Sequence, residues 1–117
     1  MKDNILVEES KNFAVEIINL CTELRENKKG MTLISQLLRC GTSIGANIHE
    51  ANYANSRADF INKMQIALKE CYETEYWLEI FDRTGIITDI QYNSMVSCCG
   101  KIRRILIASI KTAKEKQ

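Results

Sequence analysis

The chain has 117 residues, with 16 basic and 15 acidic side chains, one histidine and a net charge of +1. One domain of this length buries roughly two-thirds of its unfolded surface, so it needs no metal or disulfide to hold it together. The near-neutral average excludes a uniformly polyanion-coating surface, and the absence of proline favours a chain that is nearly all helix.

Four amphipathic segments follow in chain order. Taken at 100° per residue, the first runs from Asn4 to Asn27, with Leu6, Phe13, Ile17, Leu20, Cys21 and Leu24 on one face. Lys28, Lys29 and Gly30 end it, cations near the C-terminal dipole and glycine as the stop. The second spans Thr32 to Tyr53, with Ile34, Leu37, Leu38, Gly41, Ile44, Gly45 and Ile48 on its seam. Ser56-Arg57-Ala58-Asp59 resembles a capping box and opens the third. That helix continues to Thr84 with Phe60, Met64, Ala67, Cys71, Leu78 and Phe81 on one stripe, and Gly85 stops it. Thr88 or Asp89 caps the fourth, which carries Ile102, Ile105, Leu106, Ser109 and Ala113 as far as Lys114. Helices of about 20–28 residues joined by loops of about 3–5 residues predict an all-α, antiparallel up-down-up-down four-helix bundle. It occupies residues 1–117 as one domain.

The N-terminus carries no apolar signal-peptide core, and the longest apolar run, Ile105 to Ala108, is too short to span a membrane. Five cysteines, at 21, 40, 71, 98 and 99, form no CxxC pair and are expected as buried thiols in a reducing cytoplasm. The third helix holds more apolar residues than one stripe needs. Ile66, Trp77 and Ile80 share one further arc, and Ile61, Leu68 and Tyr72 another; Ile107 of the fourth helix lies among basic residues. A cluster containing Trp, Tyr and Ile is better explained by a partner surface, so a homo-oligomer is expected, with a broad monomer core as the rival.

The densest motif lies in the second helix, from Gln36 to Ala51. Two glycines inside a helix cost roughly 1 kcal/mol each relative to alanine. Gly41 and Gly45 share one side, where they let another backbone approach. Close packing is favoured over a phosphate-cradling loop, because no lysine follows Gly45 and no strand precedes it. Ser43, Asn47 and Glu50 make a polar stripe beside this seam, and Glu70, Glu73 and Trp77 make another on the third helix. Facing carboxylates can bind two metals, but that chemistry uses Glu-x-x-His, and Ala46 stands three residues before the single His49. These groups are instead expected to hydrogen-bond one another, a basic residue such as Arg39 or Arg103, or a neighbouring subunit, with at least one of Glu50, Glu70 and Glu73 paired. No nucleophile can be placed around His49 from sequence, so no metal, cofactor or catalytic group is expected.

Charge is unevenly placed. Residues 57–85 hold four bases and six acids, whereas residues 86–117 hold six bases and two acids. In the fourth helix Lys101, Arg104, Lys111 and Lys114 point away from the seam with Arg103 at its flank. Such a row is either a solvated helix face with cations favourable near a C-terminus or a candidate phosphate-contacting stripe.

The Gly41-Thr42-Ser43-Ile44-Gly45-Ala46-Asn47-Ile48-His49-Glu50-Ala51 segment and the run from Asp59 to Leu78 carry a family pattern. Its later part reads Phe60-Ile61-Asn62-Lys63, then Ala67-Leu68-Lys69-Glu70-Cys71-Tyr72-Glu73-Thr74-Glu75-Tyr76-Trp77-Leu78. This resembles the four-helix-bundle proteins encoded in intervening sequences of bacterial 23S ribosomal RNA genes, which are related to accessory proteins of diversity-generating retroelements. The resemblance covers essentially the whole chain. It implies a ring-like homopentamer without enzymatic activity, and RNA or DNA, or a protein, as partner. The chain departs from the strongly basic retroelement relatives in its net charge of +1.

Overall fold

The computed structural model describes residues 4–116. These form α1 (Asn4–Glu26), α2 (Ile34–Ala51), α3 (Arg57–Arg83) and α4 (Asp89–Glu115), with no strand among them. Each helix packs on the next and α4 returns to α1, whereas neither diagonal pair packs directly. The result is the antiparallel up-down-up-down bundle, 47 × 20 × 20 Å. Its length is that of α3 or α4, each about 40 Å at 1.5 Å per residue.

Local chemistry sets the helix ends. Ser56 accepts from the Asp59 N–H at the start of α3. Thr88 and Gln91 close a reciprocal capping box at the start of α4, of the kind that satisfies two orphan donors. Gly30 and Gly85 take φ values of 62° and 73° in the turns that follow α1 and α3, a conformation glycine adopts without steric cost. α2 starts two residues later than Thr32 predicts. The amides of Leu33 and Ile34 both donate to the Gly30 carbonyl, so residues 31–33 form a turn. Leu33 supplies no side-chain cap.

The core is continuous along the bundle. Leu6, Phe13, Ile17 and Leu24 of α1 meet Ile34, Leu37, Ile44 and Ile48 of α2, Met64, Leu78 and Phe81 of α3, and Ile102 and Leu106 of α4. Truncating one such side chain to alanine costs about 2–5 kcal/mol. Ile61, assigned by its helical arc to a partner surface, is instead 6% exposed and belongs to this core. The buried stripe of α3 is broader than its periodicity suggests. Ser10 and Thr74 are buried too, and their hydroxyls donate to the Val7 and Glu70 carbonyls at 3.0 and 2.7 Å. Bonding back to the helix removes the cost of an unpaired hydroxyl. Among the described residues, no helix is long and apolar enough to cross a membrane.

Candidate nucleic-acid interface

The α2 motif faces α1. A Cβ on Gly41 would stand 2.8 Å from Ile17 Cγ1, and one on Gly45 3.3 Å from the Ser10 carbonyl oxygen. α1 thus lies directly against this stretch of α2, with Ile17 occupying the space a side chain at position 41 would need.

The polar residues of α2 and α3 meet in a belt of matched charges. Arg39 Nη1 donates to Glu70 Oε2 at 3.3 Å, and its Nη2 pairs with Glu73 Oε2. Glu73 also accepts from Trp77 Nε1 at 3.4 Å. The Arg39 bond holds the Glu73 carboxyl below the usual glutamate range. Burial, with the neighbouring Glu73 charge, pushes Glu70 above it. Further along, Lys63 Nζ reaches Glu50 Oε1 at 3.0 Å. Ser43 donates to the Arg39 carbonyl at 2.7 Å, and Asn47 to the Ser43 carbonyl at 2.9 Å, so both bond within their own helix. Because Arg39 is half exposed, each pair contributes about 0–1 kcal/mol. Trp77 packs against the core and edge-on to the exposed Tyr76, 5.1 Å between ring centroids. All three glutamates named from the sequence therefore have basic partners in the chain.

The five basic residues of α4 do not form one continuous stripe. Lys101 turns to α1, where its Nζ lies 2.8 Å from Glu9 Oε1. Arg103 leans toward α3, with Nε 3.0 Å from Glu75 Oε2 and its guanidinium 5.9 Å from the centre of the Tyr72 ring. Arg104, Lys111 and Lys114 have no ion pair among the described residues. Lys111 and Lys114 rim an open groove of about 460 Å³ between α3 and α4, together with Gln65, Leu68, Ile107, Ile110 and Glu115. Leu68 and Ile107, expected on a partner surface, therefore line this groove. Ile66 and Ile80 are half-buried on α3, while Tyr72 and Tyr76 are about half exposed. Sequence reasoning missed Gly100, Ile110 and Glu75 as parts of this face. Their signal lies in the pairing of α3 with α4, which no single helix displays.

The chemistry of the remaining candidates is limited. His49 is exposed beside Tyr53, with ring centroids 5.3 Å apart. All five cysteines are free thiols. Burial pushes the Cys21 thiol up to about 11, which leaves little thiolate at neutral pH. Among the described residues, no group of three His, Cys, Asp or Glu side chains could hold a metal ion.

Comparison with known proteins gives the chain its relatives. No match is found among curated proteins. A crystal structure of a protein of unknown function, from the S23 ribosomal protein family of Bacteroides thetaiotaomicron VPI-5482, superposes with a TM-score of 0.92. The two sequences are 53% identical, and the alignment covers 95% of this chain and 99% of that one. Residues 2–108 match the model of the 23S rRNA-intervening sequence protein family. That match spans all of α1, α2 and α3 and most of α4, including Gly41, Gly45, the Arg39 belt, Arg103 and Arg104, and so the chain belongs to the 23S rRNA-intervening sequence protein family.

Proposed function

We propose that the chain is a non-catalytic, homo-oligomeric helical bundle that binds RNA as part of a ribonucleoprotein in the cytoplasm. The observation that carries this reading is the set of unpaired cations on α4. Arg104, Lys111 and Lys114 have no carboxylate partner among the described residues, although the chain as a whole is nearly neutral. Cations without a carboxylate partner remain available to phosphates. The relative's placement in a ribosomal protein family supports RNA rather than DNA. The five free thiols support a reducing compartment.

Assembly is the second part of the proposal. Tyr76 of α3 and Val15 and Ile18 of α1 are 46–56% exposed, and a repeated copy of the chain would cover such faces. A ring-like homopentamer, with kinship to the retroelement accessory proteins, is the form the family resemblance implies. These same exposed apolar side chains favour one second reading, a protein-interaction scaffold that binds no nucleic acid.

Two measurements test the proposal. Light scattering is expected to give a multiple of 13.4 kDa; a concentration-independent mass of one chain removes the oligomer. Filter binding to a single-stranded oligoribonucleotide is expected to weaken steeply with salt, and to be largely lost in the Arg104→Ala/Lys111→Ala/Lys114→Ala variant. Absence of binding at low ionic strength leaves the scaffold reading.

A further inference from the structure

α4 carries a glycine in its interior, Gly100, which is buried although it lies off the core stripe marked by Ile102 and Leu106. A mid-helix glycine costs roughly 1 kcal/mol relative to alanine, and no other helix backbone presses on this one. What a Cβ here would meet is Arg104 Nη1 at 3.3 Å, Arg103 Nη2 at 3.4 Å and Glu75 Oε2 at 4.0 Å. The missing side chain thus lets two guanidinium groups lie down on the helix side by side. Those two nitrogens are within 6.7 Å of each other at most, since both lie that close to one point. A single phosphate can bridge such a gap with hydrogen bonds of about 2.9 Å.

The charges around Gly100 do not balance. Two guanidiniums face one carboxylate, and Glu75 engages Arg103 through Nε. That bond fixes the Arg103 side chain while leaving Arg104 without an ion pair among the described residues. Holding two like charges together costs free energy unless an anion offsets it. Tyr72, 51% exposed, lies under the Arg103 guanidinium and offers a ring at the edge of the same site. Further along α4, Lys111 and Lys114 rim the groove floored by Leu68, Ile107 and Ile110. The groove itself is lined by Lys111, Lys114 and Glu115 around that apolar floor; an excess of cations beside an aromatic ring and an apolar groove is the pattern that takes single-stranded nucleic acid.

We propose that Arg103 and Arg104, laid over Gly100 beside Tyr72, form a phosphodiester seat for single-stranded RNA, whose chain then follows the α3–α4 groove past Lys111 and Lys114. This rests on the RNA-binding reading above and assigns its anchor point. Arginine suits the role because its planar fork bonds two phosphate oxygens at once. Glu75 is a positioning residue, and Gly100 supplies the space. Lys101, turned to Glu9, takes no part.

The test is fluorescence anisotropy with a labelled 12-nucleotide oligouridylate across a salt series, alongside thermal melting of each variant. Arg104→Ala, an exposed change that leaves the core alone, is expected to weaken binding about tenfold and to make the salt slope shallower by about 0.7. Gly100→Ala keeps every charge and crowds the two guanidinium ends at 3.3 and 3.4 Å, and is expected to weaken binding less than Arg104→Ala does, with no loss of melting temperature. Tyr72→Ala is expected to weaken the oligouridylate at least fivefold, while leaving an abasic oligomer of the same length nearly unaffected. If the wild type binds RNA and Arg104→Ala and Gly100→Ala bind it equally well, this seat is wrong while the RNA-binding reading survives. If the wild type binds no RNA at low salt, both fail. A polyglutamate peptide of matched charge that competes as well as the oligouridylate would overturn RNA as the occupant.

Discussion

The α1–α2 and α3–α4 contacts use the same residue for opposite ends. In α2, Gly41 and Gly45 are covered by α1, with Ile17 and the Ser10 backbone filling the space of the missing side chains. In α4, Gly100 is covered by charged side chains from its own helix. One pair of glycines admits a neighbouring helix, and the other glycine admits two guanidiniums. The charged belts differ in the same way. Between α2 and α3, Arg39 and Lys63 meet Glu70, Glu73 and Glu50. Between α3 and α4, Arg103 has Glu75, while Arg104, Lys111 and Lys114 have no ion pair among the described residues. A helix face whose charges are satisfied inside the chain holds the fold; one with a surplus is available to a partner.

The sharpest way to break this contrast is to add a side chain at each glycine, large at positions 41 and 45 and a single methyl at position 100. Gly41→Leu drives a branched side chain into Ile17 and should cost about 3 kcal/mol or more, because overpacking at a helix–helix contact cannot relax. Gly45→Leu should act in the same direction. Gly100→Ala should leave stability unchanged or raise it by up to about 1 kcal/mol, since alanine is the better helix former. Thermal melts compare them directly, and equal losses at positions 41 and 100 would erase the distinction.

A smaller effect is expected in the matched belt. Arg39→Ala should cost about 1 kcal/mol at pH 7, through lost pairing with Glu73 and Glu70. The Glu73 carboxyl is held below its ordinary value of 4.5. Its contribution is therefore present above that value and is lost as pH falls through the folded-state pKa. The gap between wild type and Arg39→Ala should close in acid; a constant gap from pH 7 to pH 3 would show that packing, not charge, is what Arg39 supplies. Trp77→Ala removes both the bond to Glu73 and packing on the core, and should lower the melting temperature more than Arg39→Ala does.

The smallest effect concerns like charges at the α3–α4 turn. A hydrogen bond with Asp89, then burial, push the Asp82 carboxyl above its ordinary 3.8, and its Oδ1 is buried without a partner. A carboxyl with a raised folded pKa destabilises as pH rises through that value, and not below 3.8. Asp82→Asn should therefore raise the melting temperature slightly at pH 7 and leave it unchanged near pH 3. A drop at pH 7 would mean that the charged form is the one the turn needs.

Much of the fold was legible in the sequence because it is written locally. Ser56 and Thr88 announce their helices by capping chemistry and Gly85 ends α3, whereas α1 is closed by Lys28 at φ 54° and the Lys29 N–H on the Leu24 carbonyl, not by Gly30; Phe13, Ile44, Met64 and Leu106 lie on stripes that repeat at helical spacing. The start of α2 was less legible, since its turn is made by backbone bonds to Gly30 rather than by a capping side chain. Ile61 was misplaced because one helix's periodicity does not show how far its neighbours wrap around it. The candidate site was legible only as a list of bases. Lys101 finds Glu9 on another helix, 92 residues away, and Arg103 finds Glu75 on α3. Which cations remain unmatched is decided by packing between helices, and so is the significance of Gly100.

The central claim is that the unmatched cations of α4 bind RNA phosphates. The most direct test is the salt dependence of oligouridylate affinity, wild type against Arg104→Ala/Lys111→Ala/Lys114→Ala. Removing three phosphate contacts should make the log–log slope shallower by about 2, at roughly 0.7 per contact for a single strand. An unchanged slope in a folded variant would contradict the account.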